Sequence, residues 1–274
     1  MNEPNADLFF ESINDIPSEI ATIRPQCTWH RTSALWGELR EGIFLLTDGY
    51  SLAALNYAER VCTYQIHSKT LENLPFFYRS FLLIPLLELL KTFGLFYVHG
   101  SFVTKKDRGI LFLGAGGTGK STFSATLVRE GWRWVSDDNM LLHISAGKLR
   151  LTAFEQEFSL HPNVAASLNL ENAGYIEHEK IRVPHDRLPK DQLATDGIPT
   201  DLILLEGSTS LLVDEQKSTL LHALLRENPT LPLHAATGTA GFSLYRHLVS
   251  ESRTQSIRAG WRDIPRLTYF WSAV

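Results

Sequence analysis

Residues Gly114, Ala115, Gly116, Gly117, Thr118, Gly119, Lys120 and Ser121 follow directly on the apolar run Ile110 to Leu113 and lead into Thr122, Phe123 and Leu127. No other stretch constrains the fold as much. Glycine inside a helix or strand costs about 0.5–1 kcal/mol relative to alanine, so glycines at this density mark a loop. The run before it has the residue types and length of a buried strand. Phe123 and Leu127 lie one turn apart and begin a helix expected over Lys120 to Glu130, which Gly131 would cap. A strand that enters a glycine loop and leaves it as a helix predicts a layered α/β fold.

The same residues fit the spacing G-x-x-x-x-G-K-[ST], in which each part has a job. Glycines let backbone N–H groups close around phosphate oxygens, and the following helix turns its positive end toward the anion. Lys120 is expected to reach the β and γ phosphates. Ser121, with Thr122 beside it, would offer a hydroxyl to Mg2+. The expected ligand is therefore a purine nucleotide held by Gly114 through Thr122. ATP is the expected donor, though nothing in the sequence separates it from GTP or ADP.

Asp137 and Asp138 end the next apolar run, Trp132 to Ser136. If that strand neighbours the loop-bearing strand in parallel, its carboxyl end faces the phosphates. One carboxylate could then hold Mg2+ and the other accept a proton from an attacking hydroxyl, and their order leaves the assignment open. His99 ends the short run Leu95 to Val98, placed here beside the loop-bearing strand. It could touch a transferred phosphate or orient a carboxylate. Glu155 and Glu157 follow a predicted hairpin, Met140 to Ile144 and Leu149 to Thr152. Lys180 and Arg182, on a predicted strand, could bind phosphate or substrate, but an exposed strand face is the first reading.

Elsewhere, residues 1 to about 30 read as weakly structured, and Leu35 to His67 as short strands with a turn at Asp48 and Gly49. An amphipathic helix is expected over Pro75 to Phe93, kinked or divided at Pro85 and stopped at Gly94. Later expectations are a short helix Asn163 to Leu168, a strand Lys180 to Val183, a surface loop 184–199, a strand Leu202 to Leu205, helices Gln216 to Arg226 and Ser243 to Ser256, and a last strand Ile264 to Trp271. The expected division is a β-rich lobe, 1–74, and a loop-bearing domain, 75–274. Charged residues are 20% of the chain and the net charge is −4, which argues against nucleic acid as partner because phosphate backbones are held by Lys and Arg. The stretch Leu74 to Val98 contains Arg79, Glu88 and Lys91, so no membrane span is expected. Cys27 and Cys62 lack the spacing of a metal or redox site. With a polar, acidic start, they point to the cytoplasm.

Residues from about 95 to 163 resemble the HPr kinase/phosphorylase family and its shorter kinase relatives. The likeness rests on Val98, His99 and Gly100, on Leu113 to Thr122, and on Gly131 through Asp138; Phe158 to Pro162 and Pro265 to Tyr269 extend it loosely. The resemblance implies a P-loop nucleotide-binding core of the HPr kinase/phosphoenolpyruvate carboxykinase type. It implies ATP and Mg2+ at Gly114 to Thr122, a catalytic role for Asp137 or Asp138, and His99 near the transferred phosphate. The glycine- and arginine-bearing signature of HPr kinases is not recognisable. The closer likeness is thus to shorter relatives that phosphorylate a serine, such as lasso-peptide tailoring kinases and free-serine kinases. The implied partner is a hydroxyl-bearing peptide, protein or small molecule, and a homo-oligomer stays open. Two rivals remain: a small-metabolite kinase of the shikimate or gluconate type, and a nucleotide-binding regulator without phosphotransfer.

Overall fold

A computed structural model describes residues 5–29, 35–154, 157–177, 179–206, 211–214, 217–226, 230–231 and 233–258. The chain forms two compact units, Met1–Phe96 with Asn228–Phe242, and Tyr97–Glu227 with Ser243–Val274.

In the first unit, alternating side chains from Leu35 to His67 build an antiparallel meander. Its strands are Leu35–Arg40, Ile43–Thr47, Leu52–Asn56 and Val61–His67. Asp48 makes the predicted turn, its Oδ1 accepting from the backbone N–H groups of Tyr50 and Ser51. Phe44, Leu46, Ala53, Leu55, Cys62 and Tyr64 face one way and bury against Phe76, Phe77, Phe81 and Leu89. Each large apolar side chain so buried contributes about 1.5–3 kcal/mol, more than any exposed ion pair. The expectation of a weakly structured start is corrected. Asp7–Ile13 is a strand in parallel register with Val61–His67, and Ser18–Thr22 is a 3-10 turn. Its apolar residues follow no clean alternation, which hid it.

The amphipathic helix is divided, as Pro85 suggested, into Leu74–Phe76, a π-helical stretch Phe77–Leu82, and Leu83–Lys91. Proline has no N–H for the carbonyl four residues earlier, and its ring crowds that carbonyl, so the turn before it widens. Tyr64 donates to the Leu82 carbonyl at 3.0 Å. These helices share a core with the N-terminal strands, so by packing the first unit extends through Phe96 and not only to residue 74.

The second unit is mixed α/β. Among the described residues its main sheet has the order Arg133–Ser136, Ser101–Lys105, Arg108–Leu113, Asp201–Leu205, Arg253–Arg258, Leu211–Asp214. Arg108–Leu113, Asp201–Leu205 and Arg253–Arg258 run parallel, and the other pairs are antiparallel. The helix Lys120–Arg129 buries Phe123 and Leu127 on this sheet, Phe123 stacking on Phe112 at 5.5 Å. A second sheet takes the order Asp196–Gly197, Lys148–Ala153, Asn139–Ser145, Phe96–His99, and a third pairs Glu157–Leu160 and Tyr175–Glu177 with Lys180–Pro184.

Two expectations about strand order are corrected. Phe96–His99 does not flank the loop-bearing strand; it pairs with Asn139–Ser145 in the second sheet. Arg133–Ser136 is not that strand's neighbour either, because Ser101–Lys105 lies between them. The inserted strand is the first arm of a tight hairpin with Arg108–Leu113. Two antiparallel steps restore the direction, so Arg133–Ser136 and Arg108–Leu113 still end at the same sheet edge. The helix expected over Ser243 to Ser256 is Ala235–Glu251, and Arg253–Arg258 is a strand, because its backbone pairs with Asp201–Leu205. The stretch 184–199 carries two 3-10 turns and the strand Asp196–Gly197. The last strand, Ile264 to Trp271, and Glu155 lie outside the described residues. No helix among the described residues is long and apolar enough to cross a membrane.

Candidate functional site

The strand Arg108–Leu113 delivers the chain into the glycine loop, and the helix begins at Lys120. Gly114 stands at φ +143°, and a Cβ there would sit 2.6 Å from the Leu205 carbonyl oxygen. Only glycine lets the loop leave the sheet so close to its neighbour. Thr118 closes the turn, donating through its hydroxyl to the Ala115 carbonyl at 2.8 Å. Lys120 is buried and folds back along the loop, its Nζ donating to the carbonyls of Gly114 at 2.8 Å and Ala115 at 3.2 Å. The ammonium group is thus held inside the curve that Gly114 through Gly119 describe.

Asp137 and Asp138 lie at the end of Arg133–Ser136, at the same sheet edge as the loop. Asp137 is buried. Ser121 sits close enough to favour its ionised form, and Ser101 Oγ lies 3.2 Å from its Oδ1 and 2.6 Å from Ser124 Oγ. Burial pushes the Asp137 carboxyl up to about 7, with the nearby Asp138 charge adding to the effect; Ser121, Lys180 and Ser101 oppose it. Asp138 behaves in the opposite way. Burial would raise it, but the hydrogen bond from His99 and the charges of His99, Lys120 and Arg182 together hold it below the ordinary carboxylate range. His99 Nδ1 is 2.9 Å from Asp138 Oδ1.

His99 reaches Asp138 although its strand belongs to another sheet. The Gly100 N–H donates to the Asp138 carbonyl at 2.9 Å, and a Cβ on Gly100 would lie 2.7 Å from the Phe112 carbonyl, so glycine permits the close passage. Tyr245, fully buried, donates to the Tyr97 carbonyl at 2.7 Å and fixes the approach to His99. Tyr97 in turn hydrogen-bonds Asn139, the residue after the pair.

The residues singled out from sequence, Gly114 through Thr122, His99, Asp137 and Asp138, therefore gather at one sheet edge. Glu157 begins the strand Glu157–Leu160 and accepts from the Tyr175 hydroxyl at 3.2 and 3.3 Å. Lys180 and Arg182 were read as an exposed face, yet their charges act on Asp137 and Asp138 respectively. Arg182 is largely enclosed and paired with Glu177 at 2.9 Å. Ser101 and Ser124 were missed. Ser124 lies three residues after Ser121, on the same helix face, and that spacing was the available signal.

Among the described residues no cluster of three or more His, Cys, Asp or Glu could hold a metal ion. A Mg2+ site does not need one: the ion keeps several waters and takes one or two protein oxygens beside substrate phosphates. A serine hydroxyl beside a buried carboxylate, Ser121 with Asp137, is a donor set of that kind.

No protein-family model matches the chain, and no curated protein matches it. Among solved structures, the Hpr(Ser) kinase/phosphatase from Coxiella burnetii aligns over 65% of this chain and 91% of its own, at 12% identity and a TM-score of 0.36. A likeness that slight carries no weight for the chemistry of this chain.

Proposed function

We propose that this chain is an ATP- and Mg2+-dependent kinase that phosphorylates a hydroxyl, that of a serine in a peptide or protein or of a small acceptor. The observation that carries this reading is geometric: the glycine loop with its buried Lys120 and the pair Asp137 and Asp138 meet at one sheet edge, with His99 Nδ1 2.9 Å from Asp138 Oδ1. Burial raises the Asp137 carboxyl, while the hydrogen bond and charge of His99 help to lower that of Asp138.

The division of labour follows. Asp137 and Ser121 would be the oxygen donors for Mg2+, which would supply neutralisation of phosphate charge. Asp137 gives up its proton when a cation is held there, since a ligating carboxylate must be ionised. Lys120 and the N–H groups of the loop take the phosphate charge that grows during transfer. Asp138, oriented by His99, aligns the acceptor hydroxyl and receives its proton. The acceptor oxygen bonds to the γ-phosphorus as the bond from that phosphorus to the bridging oxygen of the leaving diphosphate breaks. In a loose transition state the base does little bond-making work, so a carboxylate of depressed pKa suffices.

The test is transfer itself. The protein is incubated with Mg2+ and γ-labelled ATP in a lysate of the cells that make it, beside a Lys120→Ala control. A labelled peptide, protein or small molecule that disappears with the control establishes the kinase and delivers its acceptor. Nucleotide binding without Lys120-dependent transfer would point instead to a regulator.

A further inference from the structure

The phosphate loop has two flanks, and the site above uses one of them. The strand Asp201–Leu205 lies on the other, with Leu204 in register with Leu113. That register sets Leu205 and Glu206 level with the start of the glycine loop. The helix Lys217–Arg226 completes a cavity there of about 370 Å3, a volume within the roughly 300–1,000 Å3 of small-molecule sites. Gly114, Ala115 and Thr118 form its inner wall. Thr219, His222, Ala223 and Arg226 line the opposite wall at helical spacing, while Leu220 and Leu224 turn inward to the core. Glu206 stands at the strand end between the walls.

We infer that this cavity takes the nucleoside half of the phosphoryl donor, with Glu206, His222 and Arg226 as the residues that select it. The inference rests on the kinase reading, because it takes the phosphates to lie on the loop. A nucleotide whose terminal phosphate faces Ser121 and Asp137 must project its nucleoside away from them, and this cavity adjoins the loop on the flank opposite the carboxylates. The acceptor has to approach from the carboxylate side, near Asp138, so it does not compete for this space.

The lining matches the ligand. A nucleoside offers a flat heterocycle with donors and acceptors on its edge, and ribose hydroxyls beside it. A guanidinium or imidazole plane stacks on such a ring, and a carboxylate accepts from a ribose hydroxyl or a ring amine. Ala223 keeps the floor small enough to admit the ring. None of these residues lies in the loop motif, and a nucleoside site of this kind is where the choice between adenine and guanine nucleotides is made.

The test compares a whole nucleotide with its phosphates alone. Calorimetric titration of the full chain with Mg2+ would use ATP, GTP and inorganic tripolyphosphate on the native protein, Glu206→Gln, His222→Ala, Arg226→Ala and Ala223→Phe. His222 and Arg226 are exposed, so their loss leaves the core intact, and the thermal unfolding of each variant serves as the control for folding. The native protein should bind one nucleoside triphosphate at least about tenfold more tightly than tripolyphosphate, about 1.4 kcal/mol. Each variant should erase most of that preference and leave the tripolyphosphate affinity within about twofold. Ala223→Phe fills the cavity without changing a charge, so it separates loss of space from loss of electrostatic attraction. Equal affinity for nucleotide and tripolyphosphate in the native protein overturns the inference and leaves the phosphate loop standing. So do variants that weaken both ligands alike. Absence of binding by any of the three ligands overturns both the inference and the kinase reading.

Discussion

Replacing Asp137 by Asn removes a charge that the fold is badly placed to hold, so it should make the isolated protein more stable at alkaline pH while abolishing transfer. The side chain is buried, and burial pushes its carboxyl from an ordinary 3.8 up to about 7. Between those values the folded protein retains a proton that the unfolded chain has released. Stability then falls as pH rises, at about 1.4 kcal/mol per pH unit, and levels off above about 7; the sum is on the order of 4 kcal/mol. Asn cannot ionise, so the variant lacks this decline. Urea unfolding should therefore show the two proteins close together below about pH 4, the gap opening as pH rises, and Asp137→Asn ahead by up to about 4 kcal/mol at pH 8, in buffer without divalent cations. Adding Mg2+ with nucleotide should narrow the gap at pH 8, since only the aspartate gains from a bound cation. A gap that does not change between pH 5 and pH 8 would mean that Asp137 ionises as an ordinary exposed carboxyl, and the assignment of Asp137 as the buried metal-facing group would fall with it.

Three further substitutions probe other parts of the molecule. His99→Ala removes the hydrogen bond and charge that lower Asp138, so Asp138 takes up its proton at higher pH and the acid limb of the pH–rate profile should move upward; a lowered plateau with an unmoved limb would place the role of His99 elsewhere. Gly114→Ala forces a Cβ against the Leu205 carbonyl at a backbone angle that L-residues avoid, a strain of about 1–3 kcal/mol, and should lower the thermal midpoint and weaken nucleotide binding at least about tenfold; unchanged titrations would refute it. In the first unit, Glu88 and Lys91 form a buried ion pair at 2.6 Å, with the Tyr57 hydroxyl donating to Glu88 at 2.8 Å and Lys91 donating to Thr230 at 2.9 Å. Glu88→Ala strands the ammonium group and should cost about 3–5 kcal/mol by urea unfolding, whereas Glu88→Leu with Lys91→Met should recover much of that loss.

The strand, glycine loop and helix were legible from their own residues because their pattern is local. Glycine density, the lysine and serine at fixed spacing, the apolar run before them and the helix face after them all lie within a few turns of chain. The helix stops at Gly94 and Gly131 and the turn at Asp48 were legible for the same reason. The strand order was not. Ser101–Lys105 is short and carries only two apolar residues, Phe102 and Val103, and nothing in its residues says that it folds back on Arg108–Leu113 to separate the loop from Arg133–Ser136. Asp7–Ile13 and Arg253–Arg258 are strands because existing sheet edges satisfy their backbone groups, a long-range condition that overrides local pattern.

By itself, then, the sequence singled out the residues proposed to meet a phosphate and a cation: Gly114 through Thr122, with Asp137, Asp138 and His99. Tertiary structure decided what state those groups are in. The two aspartates are adjacent and chemically identical in the chain, yet one is enclosed beside Ser121, Ser101 and Ser124 and the other is held by an imidazole that arrives from a different sheet. Ionisation depends on burial and on which charges lie within a few ångströms. Those are properties of packing between segments distant in sequence, so only the folded chain sets them.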